Sequence, residues 1–110
     1  MKLQSAYLFC GRDNDPAIHY TVLDTPTIIC HIIGVSSPEE GCRVAAQLVA
    51  GGCKLIELCA AFTREDVTMI EQVTDHQVAV GAVWMNSKSL DRAKEAYWTA
   101  MLSNDEERHS

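Results

Sequence analysis

"KLIELCAAFT", residues 54–63, is the stretch that decides the fold. It is the most strand-like run of the chain, it follows a Gly51-Gly52 pair that stops a helix, and it leads into the start of another. In a strand, Leu55, Glu57 and Cys59 share one face while Ile56 and Leu58 take the other. An isolated buried carboxylate is costly and is expected to pair, hydrogen-bond or stay protonated. Glu57 therefore has two readings. In one, its face is partly wet or it binds a structural partner such as Lys54, Arg43 or a backbone amide. In the other, it is a general acid/base or an orienting acceptor at a pocket.

Outward from this strand, apolar runs alternate with amphipathic segments. "SAYLFCG" (5–11), "TIICHIIGV" (27–35) and "QVAVGAVWM" (77–85) read as three further strands, the second of them β-branched enough to be covered on both faces. Ser37 and Glu40 form a capping box ahead of Val44, Ala45, Leu48 and Val49 at helical spacing. Thr63 opens a second helix, lined on one face by Val67, Ile70 and Val73. Ser89 is expected to cap a third, with Leu90, Ala93 and Tyr97 facing inward. Within "DNDPAIHYTVLDTP" (13–26), Asp15 and Pro16 suit a helix start, which predicts a short helical stretch to about Leu23 before Thr25-Pro26 forces extension.

Strands separated by helices call for right-handed crossovers in a parallel sheet. The expected fold is a single small α/β domain over residues 1–104, with a four-stranded, mainly parallel sheet and helices packed on it, half-barrel-like or open. Residues 105–110 read as an acidic tail. A βαββαβ arrangement would need a hairpin, and no Asn-Gly or Asp-Gly turn offers one.

A chain of 110 residues fits one domain. Its formal net charge of −6, from 9 basic against 15 acidic residues, argues against nucleic acid, whose phosphates need a basic face. Cys10, Cys30, Cys42, Cys53 and Cys59 are odd in number and lack C-x-x-C or Cys/His clustering, so neither a disulfide framework nor a metal site is expected. Reduced, packed thiols fit a cytoplasmic protein. No run approaches the length of a membrane span, and the N-terminus lacks a signal-peptide pattern, so no membrane partner is expected.

Ligands of parallel α/β folds bind beyond the carboxyl ends of the strands, here "CGRD", "IGVS", "AAFT" and "WMNS". No G-x-G-x-x-G, P-loop or G-x-S-x-G accompanies them, which leaves nucleotide and serine-hydrolase readings without a motif. The candidates are Glu57 and His19 for catalysis, and Arg12, His31, Cys59, Trp84 and Asn86 for ligand binding, with no metal and no cofactor. His31 would meet Glu57 if their strands paired. His19 lies in a loop beside Arg12 and Asp15. "DND" at 13–15 reads as a turn in preference to a hard-cation site.

Asp15-Pro16, His19, Thr25-Pro26, Ile56 to Cys59 and Val80-Gly81, in this order, resemble the pattern of a group of small bacterial proteins catalogued only as a domain of unknown function. The resemblance spans Gln4 to Asn86. The chain departs from the pattern at Ala60-Ala61-Phe62-Thr63, where the group has glycines that would let backbone approach a phosphate closely. The resemblance implies no activity, and marks His19, Glu57 and Cys59 as a set. A weaker likeness, at fold level only, is to one βαβ unit of aldolase-type (β/α)8 barrels, which need roughly 250 residues.

Together these readings predict an oligomeric small-molecule-binding protein with its site at the carboxyl ends of the strands, taking a small anionic metabolite. The alternative is a lyase- or isomerase-type enzyme with Glu57 and His19 as acid/base pair and Arg12 holding the substrate. A small parallel sheet whose edges the chain can hardly cover makes a homo-oligomer the expected state.

Overall fold

The alternation in "LIEL" sets the two sides of the sheet: Ile56 and Leu58 are buried, while Glu57 between them is exposed. The computed structural model describes residues 1–109, with side chains described through residue 104. The elements are β1 (Leu3–Cys10), β2 (Tyr20–Asp24), β3 (Ile28–Val35), α1 (Pro38–Ala50), β4 (Leu55–Leu58), α2 (Arg64–Val73), β5 (Ala79–Ala82) and α3 (Ser87–His109). The expected acidic tail falls on residues whose side chains lie outside the described ones.

The sheet has five strands in the order β2-β3-β1-β4-β5 and is mixed. β1 runs parallel to β3 and β4, β5 is parallel to β4, and β2 is antiparallel to β3. β2 corrects the expected helical stretch. Asp15 does start a turn, with His19 N–H donating to its carbonyl at 2.7 Å, but the turn ends there. Tyr20-Thr21-Val22 is aromatic and β-branched, and it extends along the edge of β3. The hairpin needs no Asn-Gly. Thr25 N–H donates to the Ile28 carbonyl at 2.8 Å, and Thr25 Oγ1 accepts from Ile28 N–H at 3.0 Å. A threonine hydroxyl thus closes the turn that Pro26 bends.

The likeness to a barrel unit does not hold. β3 and β4, joined through α1, are separated by β1 in the sheet, whereas consecutive barrel strands are neighbours.

One face of the sheet carries the core. Ala6 and Leu8, Ile33 and Val35, and Ile56 and Leu58 meet Val44 and Ala45 of α1, Ile70 of α2, and Phe62. Each fully buried Leu or Ile contributes about 1.5–3 kcal/mol relative to exposure. Ser37 Oγ accepts from Glu40 N–H at 3.1 Å. The Glu40 carboxylate, expected to return to Ser37, instead accepts from Ser36 N–H at 2.8 Å and Ser36 Oγ at 3.0 Å. At α2 the box is reciprocal between Thr63 and Asp66. α3 starts three residues earlier than expected, because Asn86 Oδ1, in place of Ser89, caps it by accepting from Ser89 N–H at 2.9 Å.

The opposite face is open. Register places Leu3, Tyr7 and Phe9 of β1 beside Ile28, Ile32 and Gly34 of β3, and Tyr7 beside Glu57 of β4. Leu3 is 41% exposed, and a Cβ built on Gly81 would meet nothing within 4 Å. α3 supplies no residue to the core. It lengthens the molecule to 49 × 29 × 26 Å, and the radius of gyration is 15.1 Å. A domain of this size is expected near 13 Å. No helix among the described residues is long and apolar enough to cross a membrane.

Candidate functional site

The carboxyl ends of β1 and β4 and the first half of α3 enclose a groove of about 940 Å³. Tyr7, Cys10 and Cys59 form its floor on the strand side, Phe62 and Thr63 the α2 end, and Leu90, Ala93, Lys94 and Tyr97 the α3 wall. The chain builds this wall because Leu90, Ala93, Lys94 and Tyr97 recur at i, i+3, i+4 and i+7, one helical stripe. The lining is mainly apolar, with two cations, Arg12 and Lys94, among it. Arg12 also lies 3.9 Å from the Asp13 carboxylate.

The N-termini of α1 and α2 are poorer anion seats than expected, because each gives one first-turn N–H to its own cap and carries two carboxylates, Glu39 and Glu40 or Glu65 and Asp66, in its first turn. Ser37 and Glu40 at one, and Thr63 with Asp66 at the other, cap their own first turns. Positive charge in the groove therefore comes from side chains. On the floor, Cys10 N–H donates to Cys59 Sγ at 3.3 Å. Burial, then the neighbouring Cys59, pushes the Cys10 thiol above its ordinary value, so it is held as the neutral thiol.

Of the sequence candidates, Arg12 and Cys59 line this groove. Glu57 lies beside its floor on the open sheet face, paired in register with Tyr7, and among the described residues its side chain makes no hydrogen bond or ion pair. His19 ends the turn after β1, its Nδ1 accepting from Asp15 N–H at 2.8 Å, which places its proton on Nε2. The His19 carbonyl accepts from Gly34 N–H of β3 at 2.8 Å, which puts His19 on the line of β2, three strand spacings from β4. At about 4.8 Å per strand, that separates it from the β4 strand by about 14 Å.

His31 does not meet Glu57. β1 lies between their strands, and the register puts His31 on the core face with Ala6 and Ile56, opposite to Glu57. Its Nδ1 takes the Tyr20 hydroxyl at 2.5 Å, and Nε2 reaches Gln4 Oε1 at 3.4 Å. These three side chains line a smaller pocket of about 310 Å³ beside α1. Trp84 is 80% exposed and stands outside the groove that its neighbours Val83 and Met85 line. The Asn86 side chain is the α3 cap.

Sequence reasoning did not select Tyr7, Lys94 or Tyr97. Tyr7 had a usable signal, since it alternates onto one face of the first strand, but nothing in the sequence reveals that this face is open. Asp13-Asn14-Asp15 forms a turn, with Asn14 N–H donating to the Gly11 carbonyl and Asp15 Oδ1 accepting from Ala17 N–H. Among the described residues, no group of three or more His, Cys, Asp or Glu is placed to hold a metal ion.

A model described as a family of unknown function, DUF6506, matches residues 3–97. No curated protein and no solved structure matches the chain.

Proposed function

The chain belongs to the DUF6506 family, whose function is unknown, and from that premise we propose that it is a homo-oligomeric binding protein for small organic acids with an apolar body. The observation that carries this reading is the groove of about 940 Å³ at the carboxyl ends of β1 and β4. Its volume suits a compact metabolite. Its apolar walls, Phe62, Leu90 and Tyr97, suit a hydrocarbon or aromatic body, and Arg12 and Lys94 suit a carboxylate or a similar anion. Self-capped helix ends disfavour a bare phosphate, which would need the backbone donors.

The acid/base reading of Glu57 with His19 has no observation in its favour. General acid/base partners act within hydrogen-bond reach of one substrate, or through one water, and these two stand strands apart.

The test is a panel of branched-chain, aromatic and short dicarboxylic acids, screened by thermal shift and followed by calorimetry. One acid class should raise the melting temperature. Ala93→Trp, which fills the groove, should abolish that shift, and Arg12→Gln should weaken binding about tenfold or more, the worth of a charge-assisted hydrogen bond. Binding that ignores both substitutions would place the ligand elsewhere, and no response to any acid would sink the reading.

A further inference from the structure

Gln4 and His31 share the core face of the sheet with Ala6, Leu8, Ile33 and Val35, all four apolar and buried. Tyr20 joins them from β2, opposite Ile33. α1 packs on β1 and β3, while β2 extends the sheet beyond them with all five residues exposed. The corner between α1 and β2 is the pocket of about 310 Å³ that Gln4, Tyr20 and His31 line. We infer that it is a second binding site, for a small uncharged ring with a cis-amide edge, a ring C=O beside a ring N–H. This stands whether or not the groove takes an acid, since pocket and groove share no lining residue.

The hydrogen bonds in the pocket have one consistent direction. Gln4 Oε1 only accepts, so His31 Nε2 donates to it at 3.4 Å. In the uncharged imidazole Nδ1 is then the acceptor, and the Tyr20 hydroxyl donates to it at 2.5 Å. The relay holds the Gln4 amide by its oxygen alone. Its NH2 group has no partner among the described residues, and its oxygen keeps a second lone pair. One open donor beside one open acceptor is the complement of a cis-amide edge, the two-bond match by which a glutamine reads the edge of a base.

Charge and shape select the same ligand class. Among the described residues that line the pocket there is no carboxylate, ammonium or guanidinium, so an entering ion would lose hydration without a counter-charge. Pro16, Ile33, Val44 and Leu48 offer apolar surface to the faces of a ring. The volume is at the small end of ligand pockets, which suits a single ring. Tyr20 is 46% exposed and Gln47 is exposed too, so the pocket is reachable from solvent. A histidine satisfied for packing alone needs no such space beside it, because protein interiors close up to leave few voids.

The test uses uracil as the probe, with toluene as an apolar ring and benzoate as a charged one, followed by NMR of the labelled full chain. Uracil should shift the His31 ring and Gln4 amide signals saturably, with a dissociation constant of about 1 mM or below, as a few-atom ligand reaches. Toluene and benzoate should not shift them saturably. Gln4→Leu removes both amide functions and should weaken uracil at least about tenfold. Gln47→Trp changes an exposed residue outside the core, keeps the fold and should block entry, and it decides the matter if Gln4→Leu does not fold. No saturable shift with uracil overturns the inference. So does an equal response to toluene or benzoate, or uracil binding that survives Gln47→Trp.

Discussion

Tyr7 and Glu57 are register partners across β1 and β4, and both belong to the sheet face opposite the core. The Tyr7 phenol is held above its ordinary value, by burial first, then by Cys59, and then by the Glu57 carboxylate. Removing that negative charge lowers the cost of ionising the phenol. Glu57→Gln should therefore bring the Tyr7 pKa down toward its ordinary value, read by pH titration of ring-labelled tyrosine. An unmoved Tyr7 titration would show that the two side chains do not sense each other.

The thiols make a second prediction. All five cysteines are free. Burial is the first cause that raises Cys10, Cys42 and Cys53, which depletes the reactive thiolate at neutral pH. Alkylation of the folded protein should be slow at these three positions and should speed up as pH rises. Denatured, unreduced protein should yield all five thiols. A reproducible count of three or one would mean a disulfide has formed.

The parts of the fold that were legible in the sequence are those set by local chemistry. Ser37, Thr63 and Gly51-Gly52 mark helix ends through caps and stops that act within a few residues, and the alternation of Ile56 and Leu58 identifies a core face directly. β2 was not legible because its turn is closed by the Thr25 hydroxyl, and because Asp15-Pro16 gives a true turn signal that stops after one turn. Strand order lies further out of reach. Nothing local tells that β1 inserts between β3 and β4, which parts His31 from Glu57, or that the register puts the two on opposite faces. The site suffered likewise: Arg12 and Cys59 were readable from strand ends, whereas Tyr7 and Lys94 become neighbours of the groove only once α3 is placed.

The α1 cap predicts a pH dependence of stability. Ser36 N–H and then its hydroxyl hold the Glu40 carboxyl below its ordinary value, desolvation works against them, and Arg43 adds a smaller favourable pull. A carboxyl whose folded pKa is depressed contributes stability that is present above its unfolded pKa and lost as pH falls through the folded one. Glu40→Gln should therefore melt below wild type near neutral pH. The gap should narrow as pH drops below about 4, where an unfolded glutamate is protonated. Thermal melts of both proteins across this range check it, and a gap that is constant with pH would mean the carboxylate charge plays no part.

Two strand glycines separate the filled part of the sheet from its open part. A Cβ on Gly34 would stand 2.8 Å from Phe9 Cζ and 3.1 Å from His19 Cβ, closer than carbon atoms pack. Gly34→Ala must therefore displace the Phe9 ring or the turn that carries His19, at a cost of about 1–3 kcal/mol typical of overpacking. Gly81 on β5 has no such neighbour, so Gly81→Ala should change stability by no more than about 0.5 kcal/mol. If the Phe9 ring is the obstacle, Phe9→Leu should cost less in the Gly34→Ala background than in wild type, a non-additivity expected of residues in contact. Denaturant melts of the two alanine variants and of the Gly34→Ala/Phe9→Leu pair measure all three quantities. Equal, small effects at Gly34 and Gly81 would show that Phe9 does not lie over β3, and with it would fall the placement of His19 against the end of that strand.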